Sequence, residues 1–224
     1  MFRNIYDSLT KNSLLDESFK IIDKISHQTH EMFEIASESL IVNEIPEEDL
    51  LKMDKSVNKA VVDIRRKVLE YFAVTTTPNY HAGMILISLA VDYERIGDYT
   101  KKLYDLRNIF DFRDPFNPEV EDILRAMRHD IMVMFPEAYK SLEKKTEKYP
   151  NKVTEKETEV RDNYEIVLRR IQKRDISKQE ALVAATYSGK LIRIAGHLDN
   201  IGSSAGRPFP KLGFKPGSSS WIDD

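Results

Sequence analysis

Two carboxylates four residues apart are the feature whose type and spacing point most directly to chemistry. They are Glu94 and Asp98, in the string DYERIGDY over residues 92–99. At this spacing both side chains lie on one face of a helix, where like charges destabilise an isolated helix by roughly 0.2–0.5 kcal/mol. A hard cation bridging both carboxylates would offset that repulsion. So would the basic side chains nearby, which are Arg95, Lys101 and Lys102, and the spacing alone leaves a metal site and a salt-bridged helix face both open.

A second, weaker candidate is a pair of histidines three residues apart, His27 and His30, followed directly by Glu31. This spacing on a helix could hold a transition metal. His27 recurs as His129 at an offset of 102 residues, which indicates a shared structural position instead. We interpret His197 similarly, as a residue that packs or forms hydrogen bonds.

The composition narrows the class of protein. The 224 residues carry a formal net charge of −3, with 41% hydrophobic and 32% charged residues, as expected of a soluble helical protein. No basic stripe is present, which argues against a nucleic-acid partner. The chain has no cysteine, so disulfides and thiolate metal sites are excluded, and a reducing compartment is favoured.

The sequence predicts a cytoplasmic protein. The residues at the start of the chain lack the apolar run and the cleavage site of a secretory signal. The longest apolar stretch, residues 82–91, is too short to span a bilayer, which takes about 20 residues. Any membrane association is therefore expected to be peripheral and to occur through partners.

Apolar residues recur at helical spacing in six segments, which are separated by stretches rich in Pro, Thr, Asn and Asp. The clearest boundary is residues 111–118, where Asn117 and Pro118 form a good helix start. Pro136 lies inside the fourth segment and predicts a kink there. The first four segments are expected at about residues 13–42, 47–72, 78–109 and 118–149.

The last two segments are marked by capping-box patterns, in which a Ser or Thr side chain and a Glu side chain satisfy each other's free backbone N–H groups. Pro150 is expected to end the fourth helix, Thr154 to begin the fifth and Ser177 to begin the sixth, which fades near Gly202. Residues 207–224 are rich in Pro, Gly and Ser and predict an extended or disordered tail. Trp221 in this tail could dock on the body or on a partner.

Six helices can form one bundle or two copies of three, and the sequence favours two copies. At an offset of 102 residues, Met32 aligns with Met134 and Phe33 with Phe135. An internal duplication is the simplest account. The predicted units are a first three-helix repeat over residues 1–110, a second over residues 117–204 and a C-terminal tail over residues 205–224.

Residues 89–99, LAVDYERIGDY, resemble the signature helix of the PhoU family of phosphate-transport regulators. That signature reads Leu or Tyr, then Glu-Arg-Ile, a small residue and Asp. The resemblance extends over nearly the whole chain in the number and order of helices and in the internal repeat. It implies an all-α fold of two tandem three-helix bundles, and metal clusters bound through pairs of E(D)-x-x-x-D motifs on adjacent helices.

Carried over residue by residue, the resemblance assigns Glu94 and Asp98 to the motif of the third helix. Asp54 matches the first carboxylate of the partner motif in the second helix, and Asn58 stands where the second would be. An amide oxygen can bind a hard metal but adds no charge, so affinity should be lower. The implied cofactor is iron, or another divalent metal such as zinc, nickel or magnesium, and the site can also be empty of metal.

The second repeat departs further from the family pattern. Ile192 and Gly196 stand at the Glu and Asp positions of its third helix. In its second helix Glu157 remains, but Arg161 replaces the other carboxylate. A metal site of the family's kind is therefore not expected there.

The resemblance implies a non-enzymatic regulator of phosphate uptake that contacts a phosphate ABC transporter, another phosphate transporter or a sensor histidine kinase, with a homodimer as a further possibility. The residues themselves leave two alternatives. One is a metal-dependent phosphate-ester hydrolase using Asp54, Glu94 and Asp98, which would need an open coordination position. The other is a helical scaffold without metal.

Overall fold

The computed structural model of the chain describes residues 13–41, 50–110, 116–144, 146, 148–173 and 175–213, and these residues form helices and short connections without any strand. The predicted all-α class is thus confirmed. A short 3₁₀ helix at Phe209–Lys211 follows the last α-helix. The six α-helices are α1 (Ser13–Ile41), α2 (Leu50–Val74), α3 (Tyr80–Phe110), α4 (Pro118–Glu143), α5 (Lys148–Arg170) and α6 (Lys178–Ser204).

Each helix is held by an apolar stripe that faces its neighbours. On α2, for example, Val57, Val61, Ile64 and Val68 recur every three or four residues and are all buried, which is the pattern of an amphipathic helix. Helices α1, α2 and α3 contact one another, and α4, α5 and α6 do so as well. The two trios meet where α3 packs on α6 and α1 packs on α4. The predicted domain limits remain predictions, since the packing does not by itself test a duplication.

The boundary between α4 and α5 differs from the prediction. Helix α4 runs through Pro136 and ends at Glu143, and α5 begins at Lys148, so Pro150 lies in the first turn of α5. Proline is tolerated there because the first backbone N–H groups of a helix have no partner within it. Thr154 is not a cap: it lies inside α5, and its hydroxyl donates a 2.6 Å hydrogen bond to Asp199 on α6.

The starts of α4 and α6 agree with the prediction and are joined to each other. Asn117 caps α4 by accepting a hydrogen bond from the N–H of Glu119, and Ser177 caps α6 by accepting one from the N–H of Glu180. The Glu180 carboxylate does not complete the capping box at Ser177. It accepts a 2.6 Å hydrogen bond from the N–H of Asn117 instead, and so fixes the start of α4 against the start of α6.

The first residues of the predicted tail are ordered. Residues 205–213 follow α6 as a turn and the 3₁₀ helix, which contacts α3. Gly213 has a φ of 78°, a conformation that side chains with a Cβ rarely adopt. Trp221 lies outside the described residues, so its docking stays a prediction.

Candidate functional site

The carboxylates of Asp54 and Asp98 lie on the two sides of one lysine. Asp54 is buried on α2, and Lys101 on α3 places its Nζ 2.8 Å from Asp54 Oδ2. The same Nζ is 3.4 Å from Oδ1 of Asp98. Because Lys101 follows Asp98 by three residues, the two side chains share a face of α3. The packing of α2 on α3 supplies Asp54 to that pair.

Further cations surround the carboxylates on α3. Arg95 lies 3.4 Å from Glu94 and 3.7 Å from Asp98, and Lys102 lies 3.9 Å from Asp98. The repulsion expected between Glu94 and Asp98 is therefore offset by basic side chains, the second of the two possibilities that the spacing left open. The hydrogen bond to Asp54 raises the pKa of Lys101, so its ammonium stays charged.

Asn58 also lies beside Asp54, one helical turn along α2. Its Nδ2 donates a 3.4 Å hydrogen bond to Asp54 Oδ2, the same oxygen that binds Lys101. The structure thus brings Asp54, Asn58 and Asp98 together around an ammonium. Glu94 pairs with Arg95 at the edge of this group. We call Asp54, Asn58, Glu94, Asp98 and Lys101 the carboxylate–lysine cluster.

As arranged, these residues do not fit a multinuclear metal cluster. Within the part of the chain that the structure describes, no three His, Asp or Glu side chains converge in a way that could hold a metal ion. A cluster would need several carboxylates free to bridge it, whereas here Asp54 and Asp98 both bind Lys101. Metal binding at Asp54, Asn58, Glu94 and Asp98 stays a prediction, and it would require Lys101 to withdraw.

The histidine pair serves the packing of α1 on α4. His27 is exposed, lies 3.4 Å from Asp23 and tilts against Tyr139 with ring centres 6.0 Å apart. The ring of His30 stacks on Phe135 with centres 4.7 Å apart. Burial lowers the pKa of His30. The two rings thus pack against aromatic side chains of α4.

His197 joins α6 to α3. Its Nδ1 lies 2.8 Å from Oδ1 of Asp92, and Asn200 donates a 3.3 Å hydrogen bond to the same oxygen. The ring of His197 also stacks on Tyr99. The hydrogen-bonding role expected for His197 from the sequence agrees with this geometry.

The second trio has a different arrangement at the positions of the family motif. Glu157 is buried on α5 and forms an ion pair with Arg161, one turn later. Ile192 and Gly196 on α6 border a cleft beside this pair. The loss of the carboxylates was predicted from the sequence, and the cleft was not. Its one visible signal was an arginine standing in place of an acidic residue.

No helix among the described residues combines the length and apolar character that crossing a bilayer requires. Comparison with known protein families shows that residues 22–106 match the family model described as PhoU domain. The match begins in α1 and ends in α3, and so contains the whole carboxylate–lysine cluster. No curated protein and no solved structure matches the chain.

Proposed function

We propose that this protein is a non-enzymatic cytoplasmic regulator of phosphate uptake, because residues 22–106 match the family model described as PhoU domain, and that family regulates phosphate uptake. It acts by binding a phosphate transporter or a sensor histidine kinase. The observation that carries the proposal is the domain match, which includes the signature string at residues 92–99. The structure contributes two supporting features, one inside the cluster and one on the outer surface of α2.

The cluster supports a regulator rather than a hydrolase. Metal-dependent hydrolysis needs an open coordination position beside the carboxylates. Here Asp54 and Asp98 both bind the ammonium of Lys101, and Arg95 lies against Glu94. The carboxylates are thus neutralised by the chain's own cations, in the manner of a structural ion-pair network.

The outer surface of α2 offers a place for a partner. Leu51, Val62 and Leu69 are separated by 11 and 7 residues and therefore lie on one stripe of the helix. Their side chains are 59%, 52% and 64% exposed. Single exposed apolar residues are ordinary, but a row of them on one helix face is typical of helix-mediated recognition. We call these three residues the α2 stripe.

Basic residues flank the α2 stripe, and they indicate the charge of the partner. Lys55, Lys59, Arg65 and Arg66 are all exposed beside it. Asp63 lies within 3.9 Å of Arg66 and offsets part of that charge. The surface is complementary to a partner with apolar side chains ringed by carboxylates, because such charge patterns steer association and fix orientation.

The test measures phosphate uptake and partner binding together. A strain lacking this gene would receive either the wild-type chain or the double variant Leu51→Glu with Leu69→Glu. We expect the variant to fail to restrain phosphate uptake in phosphate-replete cells, and to lose co-purification of transporter or kinase subunits. The control is Ile166→Glu with Leu182→Glu, two exposed apolar residues on α5 and α6, which should behave as the wild type.

If deletion of the gene leaves phosphate uptake and phosphate-dependent signalling unchanged, the proposal is wrong. If both double variants act alike, the regulatory role can stand but the α2 stripe is not the contact. A homodimer formed through the same stripe is checked by light scattering. The Leu51→Glu with Leu69→Glu variant would then become monomeric.

Metal binding is tested separately by thermal unfolding. A ligand that binds only the folded state raises the apparent stability by RT ln(1 + [L]/Kd). Because Lys101 already binds both Asp54 and Asp98, we expect the same Tm with a chelator and with Mg²⁺, Zn²⁺, Ni²⁺ or Fe²⁺. A saturable rise in Tm that disappears in Asp98→Asn would instead establish the metal site.

A further inference from the structure

A cleft of about 470 Å³ opens beside α5 and α6, and the segment that follows α6 also lines it. It is distinct from the carboxylate–lysine cluster, which lies between α2 and α3. Volumes of roughly 300–1,000 Å³ are typical of sites for small molecules. We call it the arginine cleft, because Arg161 on α5, Arg193 on α6 and Arg207 after α6 all line it.

One face of α6 forms the floor of the arginine cleft. Gly189, Ile192, Arg193 and Gly196 follow one another at intervals of three, one and three residues, which places them on the same side of the helix. A Cβ placed on Gly189 or on Gly196 would have no neighbouring atom within 4 Å. The glycines are therefore not required by close helix packing, and their effect is to keep the floor open.

The acidic groups of the arginine cleft are engaged by the protein itself. Glu157 is buried in an ion pair with Arg161. Asp199 is buried and accepts a 2.6 Å hydrogen bond from Thr154. Arg193 is exposed and has no carboxylate within ion-pair distance among the described residues. The side chain available to a ligand is thus cationic, and an anion is the ligand that this cleft would attract.

The types of residue that line the arginine cleft indicate which anion it would bind. Guanidinium groups present planar, paired donors that match phosphate oxygens, and several of them around one site suit a phosphate group better than isolated lysines do. The cleft is also far larger than a single phosphate ion needs, and Tyr164 and Ile192 add apolar surface to its lining. An organic portion attached to the phosphate would occupy that remaining space.

We propose that the arginine cleft binds a phosphorylated organic molecule of about nucleotide size. Arg193 contacts the phosphate, and the organic portion packs against Tyr164 and Ile192. His197, held by Asp92 on α3 at 2.8 Å, lies at the edge of the cleft and connects its occupancy to the packing of α6 on α3. This inference stands on the cleft alone and does not rest on the proposed role in phosphate uptake.

The test is isothermal titration of the full chain with AMP, ATP, glucose 6-phosphate and orthophosphate as probes, at low and at physiological ionic strength. We expect at least one organic phosphate to bind more tightly than orthophosphate. Replacement Arg193→Gln should weaken that binding by about tenfold or more, because a charge-assisted hydrogen bond is lost. The matched control is Arg169→Gln, an exposed arginine on α5 that pairs with Glu165 outside the cleft.

A steric variant separates binding in the cleft from general attraction to a cationic surface. Gly196→Met adds bulk to the open floor without changing any charge, and it should abolish binding while circular dichroism and Tm remain those of a folded protein. The inference is overturned if none of the probes binds at millimolar concentration. It is also overturned if orthophosphate binds as well as the organic phosphates, or if Arg193→Gln and Arg169→Gln weaken binding equally. These outcomes would overturn the inference whatever the effect of the protein on phosphate uptake in cells.

Discussion

The ammonium of Lys101 on α3 lies 2.8 Å from the buried carboxylate of Asp54 on α2. The carboxylate is only 9% exposed and the lysine side chain 25% exposed, so the pair is largely shielded from water. Removing one member of such a pair leaves the other charge without compensation, which costs more than the pair itself contributes. The stability of the first trio should therefore depend on Lys101 even though the residue is not part of its apolar core.

We predict that Lys101→Met lowers the free energy of unfolding by about 1–3 kcal/mol, because Asp54 loses its cation and its strongest hydrogen bond. Urea unfolding followed by circular dichroism measures the change. The control Lys102→Met removes an exposed lysine 3.9 Å from Asp98 and should change stability by less than about 0.5 kcal/mol. Equal effects of the two substitutions would show that the ion pair between Lys101 and Asp54 contributes no more to stability than an exposed lysine does.

Two helical glycines should respond to alanine in opposite directions. A Cβ on Gly83 would lie 2.5 Å from the ring of Phe72 and 3.0 Å from Val68. The Phe72 ring packs against Tyr80 with centres 5.0 Å apart, so it cannot move without disturbing that contact. We predict that Gly83→Ala lowers the free energy of unfolding by about 1–2 kcal/mol.

Gly189→Ala is the matched change, since no atom lies within 4 Å of its added Cβ. Alanine is favoured over glycine inside a helix by about 0.5–1 kcal/mol, so this variant should be more stable than the wild type. Urea midpoints of both variants, measured with an unchanged m-value, test the pair. Stabilisation by both substitutions would contradict the close approach of Phe72 to α3.

The contact between the trios can be tested at Tyr187. Its side chain is fully buried on α6, and its hydroxyl donates a 3.0 Å hydrogen bond to the carbonyl of Ser37 on α1. Burial raises the pKa of Tyr187, so the hydroxyl stays protonated and remains a donor. We predict that Tyr187→Phe lowers the free energy of unfolding by about 1 kcal/mol. Tyr80→Phe, at an exposed tyrosine, should have no measurable effect in the same urea titration.

The sequence predicted the helices well because apolar periodicity is a local signal. The cap at Ser177 and the end of α3 at Phe110 can each be predicted from a few adjacent residues. The limits of α4 and α5 were wrong because Pro150 is compatible with a helix end and with a first turn. Thr154 also resembles a cap locally, yet its hydroxyl bonds Asp199, 45 residues away. Only the tertiary fold decides between such alternatives.

The candidate site also depends on tertiary contacts that local sequence patterns do not reveal. The spacing of Glu94 and Asp98 placed them on one face and showed that the repulsion needs an offsetting charge. Asp54 was assigned by the family resemblance and not by spacing. That Lys101 bridges Asp54 and Asp98 follows from the packing of α2 on α3, across 47 residues of sequence. The arginine cleft was missed for a similar reason, since its three arginines come from three separate segments.

The stacking of His30 on Phe135 should make the stability of the protein depend on pH. Burial is the main cause that lowers the pKa of His30, and the charge of Glu34 opposes it. In the unfolded chain the pKa of a histidine is about 6.5. Above that pH both states are neutral at this residue, so His30 imposes no penalty. As the pH falls below about 6.5 the unfolded chain binds a proton more readily, so stability is lost.

We therefore predict that the free energy of unfolding decreases as the pH falls from 7 to 5. In the His30→Phe variant this decrease should be smaller, because phenylalanine keeps the ring contact and cannot be protonated. The control is His27→Phe, at an exposed position beside Asp23, which should retain the wild-type dependence on acid. The measurement is Tm at half-unit pH steps for the three proteins. Parallel curves for the wild type and His30→Phe would assign the acid sensitivity to carboxylates instead.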